Sequence, residues 1–591
     1  MIKLSDYIFE YLESRGIKQA FMLPGGGAMH LDDSLGKSGM EYVCFLHEQG
    51  AAIAAEAYGQ HTNMPGLLLV TSGPGATNTI TGVTAGWIDS TPMFVISGQS
   101  KRSDLVGDKG VRQIGSQEVQ IVPMITPITK YAVQILNPAE IKYHLDRAFY
   151  EATNGRKGPV WLDIPLDVQA SMIEPDELEG FQAETVSGNG QADVPFDMEN
   201  IVKKIKSAKK PLILAGNGII SAGCEEAFYQ LADYLGVPVQ TTWKSIDLMW
   251  EDHALYAGHP GTLGDRGANF IIQECDLLLS LGARLDSSIT AFNEENFAPQ
   301  AEKIVVDIDE AELNKFTMKI DVPVCCDIGI FLKTLNERLA KEQWSDEHRA
   351  ELEKWRAHCK AIRAEYPVIL PEYAQKEQYV DGYYFTGILS DMLEENEIIV
   401  PESAGVTTEA TIQAFRSKKG QHMKHAAGLG SMGFALPYSI GACLAHGRRR
   451  TVAIDGDGAF QLNIQELETL HRLQLPVKFF IWNNQGYASI RGMQRNNFKG
   501  HYVASDAASG LTIPHILKVA QAYGLSTFRI ENNKEIAETV AQVLKTDGPV
   551  ICEVMVDPDE VVMPKVQSKM GENGQMIPGK LEDMWPFIGE K

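Results

Sequence analysis

Short runs of consecutive apolar residues recur along the chain, and most end in a cluster of Gly, Asn, Asp or Ser. Examples are "QAFMLPGGG", "GLLLVTSGPG", "MFVISGQ" and "VWLDIPLDV" in the first third, "PLILAGNG", "DLLLSLGARLD" and "KIVVDIDEAEL" in the middle, and "EIIVPES", "RTVAIDGDG", "VKFFIWNNQ" and "PVICEVMV" in the last third. Runs of this length without polar interruption fit strands buried on both faces. Between them lie helix-length stretches such as "HEQGAAIAAEAYGQ" and "ATNTITGVTAGWID". The alternation predicts an α/β protein of three doubly wound parallel-sheet domains. The expected units are residues 1–175, 190–340 and 379–560, with a polar, Gly-containing linker at Val186–Pro195. Residues 341–378 contain "DEHRAELEKWRAHCKAIRAEYP", read as a solvated helical connector, and 561–591 lack periodicity and are read as a lid or a plain terminus. No short-period repeat is visible.

A length of 591 residues exceeds what one hydrophobic core organises. With 53 basic against 77 acidic residues, net −24, the chain lacks the basic footprint of a nucleic-acid partner. The eight cysteines show no CxxC spacing and read as reduced thiols, with Cys325 and Cys326 expected to be small buried residues. No apolar run approaches the ~20 residues of a membrane span, and "MIKLSDYIFEYLESRG" has no secretory pattern. These features predict a soluble, cytoplasmic protein with no membrane partner.

The most specific local signal is "AIDGDGAFQL" followed by "FIWNNQGYAS", two strand ends joined by what reads as a single helix. The right-handed crossover makes the two strands parallel neighbours, and open α/β sheets bind ligands at such strand ends. Asp457 supplies a carboxylate and Asn484 an amide oxygen, while Gly456, Gly458 and Gly486 admit close backbone approach. Hard oxygen ligands beside a helix N-terminus suit Mg²⁺ with a phosphorylated ligand.

This pairing resembles the diphosphate-binding motif of thiamine diphosphate (ThDP) enzymes, and further segments resemble the acetolactate synthase-like family in order: "LPGGGAMH", "FLHEQGAAIAAEAYG", "TSGPGATNTITGVTAGWIDSTPMFVISGQ", "PESAGVTTEA" and "GLGSMGFALPYSIGA". The resemblance implies pyrimidine-binding, central FAD-type and diphosphate-binding domains. It makes Asp457, Asn484 and the Gly486 carbonyl the Mg²⁺ ligands. It places Pro24, Gly25, Pro74, Asn78, Val406, Thr407, Gly430, Met432, Gly458, Ala459 and Tyr487 around ThDP, with Met432 wedged beneath it. Glu48, expected to be shielded by Phe45 and Leu46 and so to keep a proton available, becomes the carboxyl that serves the aminopyrimidine ring. Gln117 is expected to hydrogen-bond the donor 2-oxo acid, and His30 to act as an acid or base. The smallest active unit implied is a homodimer with the site between chains, or a tetramer of such dimers.

The central segments "LAGNGI", "QTTWKS", "GHPGTLGDRG", "GARLDSS", "VVDIDEAEL" and "CCDIG" follow the order of the FAD-binding segments of acetolactate synthases. By that resemblance Gly216, Gly218, Thr242, Gly258, His259, Gly261, Gly282, Arg284, Asp307 and Asp327 hold a FAD that is not used for redox chemistry.

The chain departs from the family at "GARLDSS", where Ser287 and Ser288 replace an Asp-Arg pair whose Arg grips the acceptor carboxylate. Ser116 replaces a Phe in the segment before Gln117, and a tryptophan is missing beyond "NNQG", near Ile490. These changes favour an acceptor without a carboxylate, one option being a nucleotide-linked keto-sugar, to which a ThDP- and Mg²⁺-dependent carboligase transfers the two-carbon unit of pyruvate. His259 or Arg491 replacing the missing charge would instead keep acetolactate synthesis. Hydrolysis of a cyclic diketone, a flavin-using oxo-acid oxidase and a non-catalytic binding module are the remaining readings.

Overall fold

The computed structural model describes residues 1–183, 196–571, 573 and 575–588; the expected linker at 186–195 lies outside the described residues. Three parallel sheets form from the apolar runs. The first contains β1 (Gln19–Met22), β2 (Glu41–Cys44), β3 (Gly66–Val70), β4 (Met93–Gln99), β5 (Tyr131–Gln134) and β6 (Pro159–Pro165), in the order β2-β1-β3-β4-β6-β5. Every residue of β3, β4 and β6 is buried, which is why their sequences carry no polar alternation.

The central sheet contains β7 (Pro211–Ala215), β8 (Val239–Thr241), β9 (Leu277–Leu281), β10 (Glu302–Asp307) and β11 (Val322–Cys325), in the order β8-β7-β9-β10-β11. The third has β12 (Ile398–Pro401), β13 (His422–Met423), β14 (Thr451–Gly456), β15 (Val477–Asn483), β16 (Ser526–Ile530) and β17 (Val550–Met555), in the order β13-β12-β14-β15-β17-β16. The outer domains thus share one strand order, a repeat of topology that no sequence periodicity announces.

Three expectations change. Helix Asp346–Glu365 is the expected helical connector but is not solvated on every face: Leu352, Trp355, Cys359 and Ile362 form a buried stripe at helical spacing, and Trp355 Nε1 donates to Pro211 O at 2.9 Å. The described part of the tail is not a loose end. It is clamped to the central domain, with Val566, Leu581 and Met584 buried in that core and Arg266 Nη1 donating to Met584 O at 3.1 Å. Its strands are two residues long, too short to leave a period in the sequence. Cys325 is exposed and Cys326 half-buried, so they are not the buried pair expected; all described cysteines are free. No described helix is long and apolar enough to cross a membrane.

The first and third domains meet along helices Glu48–Thr62 and Ala435–Ala445. A side chain at Gly441 would lie 2.2 Å from Ala54 O, so the helices approach at backbone distance. At the far end of this seam His61 Nδ1 lies 3.0 Å from His446 Nε2, and the centre of the His422 ring lies 4.6 Å from that of His446. Burial holds all three imidazoles below their ordinary value, His446 at about 4, and repulsion among them and from Lys424, Lys244 and Arg449 adds to it. Because the folded-state values are depressed, the unfolded chain binds protons first. The stability these imidazoles contribute is therefore complete above the unfolded value of about 6.5 and is lost as pH falls toward 4. The urea midpoint is expected to fall between pH 7 and pH 5, and His446→Gln to flatten that slope; an unchanged slope in the variant would remove the cluster as its cause.

Candidate active site

β14 and β15 pair in parallel through Gly456 and Trp482, so Asp457 and Asn484 leave adjacent strand ends. Asp457 Oδ2 accepts from Gly486 N at 3.0 Å and Oδ1 from Gly458 N at 2.8 Å. Burial pushes its carboxyl up to about 7, an effect that the charge of a bound cation would reverse. Asn484 Oδ1 is buried without a hydrogen-bond partner among the described residues, a costly state that a metal ligand does not suffer. Gly486 has φ +130°, and a side chain there would meet Ser505 O at 2.5 Å; one at Gly458 would meet the Tyr487 ring at 2.4 Å. A carboxylate, an amide oxygen and a nearby carbonyl are the donors that Mg²⁺ takes.

Helix Val406–Ala414 starts after Gly405, at φ +87°, and brings Thr407 beside Gly456 and Val406 against Ala488. Ala459 is buried in the turn after Asp457. The single helix expected beyond Gly458 is broken into Asp457–Phe460, a 3₁₀ stretch Gln461–Glu466 and Leu467–Leu473. The kink is at Asn463, whose amide donates to Gly433 O at 2.8 Å and Gln49 Oε1 at 3.3 Å, drawing it out of helical geometry.

Arg491 is 7% exposed and does not present a free guanidinium to a substrate. Its Nη1 donates to Gln485 O and Ser505 O, both at 3.2 Å, and its Nη2 to Asn484 O at 2.7 Å and Pro558 O at 2.6 Å. It pins the backbone of the Asn484–Gly486 loop, a role no sequence signal indicated. Arg491→Met is expected to raise the Mg²⁺ requirement about 10–100-fold, the usual effect of losing support around metal ligands. The check is Mg²⁺ titration of ThDP binding; an unchanged requirement would refute the role.

A second cluster forms in the first domain. Asn78 Nδ2 donates to Glu48 Oε2 at 3.0 Å, and a side chain at Gly75 would come within 3.8 Å of Glu48 Oε1. Helix Pro74–Thr77 begins with Pro74 after Gly73, whose φ is +61°, and Gly73 backs onto Gln117 O. Gly25 packs on Thr71, and Pro24 is exposed beside it. His30 is half-buried on helix Met29–Lys37, and no described hydrogen bond joins it to Glu48, Asn78 or Gln117. Glu48 is 8% exposed and Phe45 is buried, yet Leu46 is 53% exposed and does not give the apolar cover expected of it. From the third domain Glu466 Oε1 accepts from Leu46 N at 3.2 Å and His47 N at 3.1 Å, fixing the start of the Glu48 helix.

Met432 is 37% exposed between Gly430 (φ +65°) and Gly433 (φ +86°). The following helix is anchored by buried Glu402, which accepts from Phe434 N at 3.3 Å and Ala435 N at 2.8 Å. Sequence reasoning missed Glu402 and Glu466 because a carboxylate buried on backbone N–H groups has no pattern in sequence.

The central strand ends line a cleft of about 530 Å³ that contains Gly218, Thr242, Gly282, Arg284, Ser288, Asp307 and Asp327. It also contains Lys244, from the "QTTWKS" segment, and Arg156 and Lys157, which no sequence motif singled out. Asp89, Asp286 and Glu312 line it too, and Arg156, Lys244 and Arg284 are already ion-paired, so it is the strand-end crevice rather than a surplus of positive charge that suits a dinucleotide. Arg284 is tied to Ile88 O and Asp286, each at 3.0 Å, and Asp327 Oδ1 caps Gly329 N at 2.8 Å. Gly216 and Gly218 are explained by packing: their side chains would lie 2.2 Å from Gly282 O and 2.8 Å from Gly282 Cα. Gly261 is explained likewise by Ser288 O at 2.7 Å. Gly258 packs on Asp265, and His259 lines a separate cavity of about 460 Å³ with Tyr256 and Arg363. His259 is therefore placed away from the cleft, because its backbone N–H is held by Asp265.

Among the acceptor residues, Ser288 Oγ donates to Asp286 and Ser287 is exposed. Ser116 and Ile490 are exposed on the first and third domains, so the chain by itself does not join these positions into one pocket.

Three family models match in order: the thiamine pyrophosphate enzyme N-terminal TPP binding domain over residues 2–123, its central domain over 198–335 and its C-terminal TPP binding domain over 403–554. The chain is 30% identical to a probable acetolactate synthase large subunit of Methanocaldococcus jannaschii, over 95% of this chain and 93% of that protein. It is 30% identical to the acetolactate synthase isozyme 2 large subunit of Escherichia coli, over 95% and 97%, and to the chloroplastic acetolactate synthase of Arabidopsis thaliana, over 96% and 83%. With these domains in this order and such relatives along nearly its whole length, the chain belongs to the acetolactate synthase family of thiamine diphosphate enzymes.

Proposed function

We propose that the protein decarboxylates pyruvate and joins the two-carbon unit to a second 2-oxo acid, with acetolactate as the simplest product. The observation that carries the reading is buried Asp457 at the end of the strand next to that of Asn484, whose amide oxygen is buried without a hydrogen-bond partner among the described residues, in a chain whose relatives are named acetolactate synthases. ThDP, when bound, supplies the electron sink for decarboxylation. Asp457, Asn484 and the Gly486 carbonyl would hold Mg²⁺, and Val406, Thr407, Gly430, Tyr487 and Met432 would contact ThDP. Glu48 is the carboxyl that would exchange a proton with the cofactor, and Gln117 would orient the oxo acid. The hydrogen bond of Glu48 runs to Asn78 in its own domain, so a second copy is proposed to bring the two clusters together as a homodimer. FAD is proposed for the central cleft, in a structural role.

A second reading, transfer to an acceptor without a carboxylate, is kept because of Ser287 and Ser288. Arg491 is committed to backbone carbonyls and His259 lies in another cavity, so neither replaces the family's gripping arginine. The relatives give a nucleotide-linked keto-sugar no support and favour acetolactate. Mass-spectrometric product analysis with ThDP, Mg²⁺, FAD and labelled pyruvate, with and without keto-sugar nucleotides, tests both. Efficient acetolactate formation establishes the first reading; slow turnover of pyruvate alone, with label moving to the sugar, replaces it by the second.

A further inference from the structure

Residues 105–117, which carry Ser116 and Gln117, contain no helix or strand among the described elements, and Val111, Ile114, Ser116 and Gln117 are exposed. Such a segment needs something other than a backbone ladder to hold one conformation. Beneath it sits Glu118, 4% exposed and in no salt bridge among the described residues. Its Oε2 accepts from Ile114 N at 3.0 Å and Gly115 N at 3.1 Å, and its Oε1 from Val106 N. The carboxylate thus gathers three N–H groups from both ends of the segment in charge-assisted bonds. Gln113 Nε2 closes the turn by donating to Glu118 O at 3.0 Å.

Gln117 itself has φ +59°, in the left-handed region that a residue with a side chain adopts only when its surroundings enforce it. On its other side is Gly73, where a Cβ would lie 2.6 Å from Gln117 O. Gly73 leads through Pro74 to Asn78, the partner of Glu48. The two halves of the first-domain cluster are therefore set by one packing contact, with Glu118 holding the side that has no secondary structure of its own.

We infer that Glu118 is a positioning residue for the donor oxo acid, fixing the strained Gln117 against Gly73 so that the Gln117 side chain meets the substrate beside Glu48. The inference rests on the proposed role of Gln117. Changing Glu118 to Gln keeps the shape but turns an NH₂ toward backbone N–H groups that need an acceptor.

The experiment compares Glu118→Gln, Glu118→Asp and Gln117→Ala in protein loaded with ThDP and Mg²⁺. It measures pyruvate kcat/KM, the ThDP and Mg²⁺ half-saturation points, and amide exchange at Val106, Ile114 and Gly115. Glu118→Gln is expected to lower kcat/KM about 10²-fold, the scale of a 1 Å misplacement, and Gln117→Ala to lower it at least as much. Cofactor half-saturation should be unchanged, exchange at the three amides faster, and Glu118→Asp intermediate. Faster exchange with unchanged kcat/KM, while Gln117→Ala still loses activity, overturns the inference alone. Unchanged kcat/KM in Gln117→Ala overturns the reading of Gln117 and the inference with it. If Glu118→Gln does not fold, Gly73→Ala displaces Gln117 from the other side, and unchanged kcat/KM there overturns the inference.

Discussion

Glu48→Gln is expected to bind ThDP and Mg²⁺ normally but to slow exchange of the cofactor's C2 proton by about 10²–10⁴-fold, the range of a positioned general acid or base. Glutamine preserves the size of the side chain and an oxygen for the Asn78 amide, which donates to Glu48 Oε2 at 3.0 Å. It cannot hold or release the carboxyl proton. The backbone of the site should not move, since the entry to the helix is fixed by Glu466 on Leu46 N and His47 N and by His47 Nδ1 on Gln49 N. The separation of binding from exchange distinguishes proton handling from a packing defect. NMR measurement of C2 exchange in the loaded protein decides it, and a near-normal rate would take Glu48 out of the proposed role.

Asp457→Ala should be the most damaging change at the other cluster. The carboxylate organises Gly458 N and Gly486 N and is the only charged ligand proposed for Mg²⁺. Its loss removes the metal's charge partner and frees the loop that carries Asn484 and Gly486. The Mg²⁺ and ThDP requirement is expected to rise at least about 100-fold, beyond the 10–100-fold typical of residues that only support metal ligands. Ligand-induced stabilisation should vanish with it: wild-type protein at 100 times Kd gains about 2.7 kcal/mol, and the variant at the same concentrations gains almost none. Thermal unfolding with and without the cofactors measures this, and an equal shift in the variant would refute the clamp.

The three sheets were legible because buried parallel strands demand unbroken apolar runs, and "GLLLV", "MFVIS" and "VKFFIW" became strands. The placing of Asp457 near Asn484, the proposed metal ligands, was legible because the two residues follow the ends of two such strands, which pair in parallel. The kink at Asn463 was not, since it comes from bonds to Gly433 and Gln49, far away in the chain. The tail was unreadable for a related reason: two-residue strands and single buried side chains such as Met584 have no period.

By itself, then, the sequence determined the fold class, the order of the domains and the residues at the strand ends, all of which depend on local pattern and near-neighbour topology. Only the tertiary structure decided which charged groups are already committed. Arg491 went to four backbone carbonyls, and Glu118, Glu402 and Glu466 to backbone N–H groups. A buried charge must be satisfied by whatever the fold brings within hydrogen-bond distance, and that partner is set by three-dimensional packing.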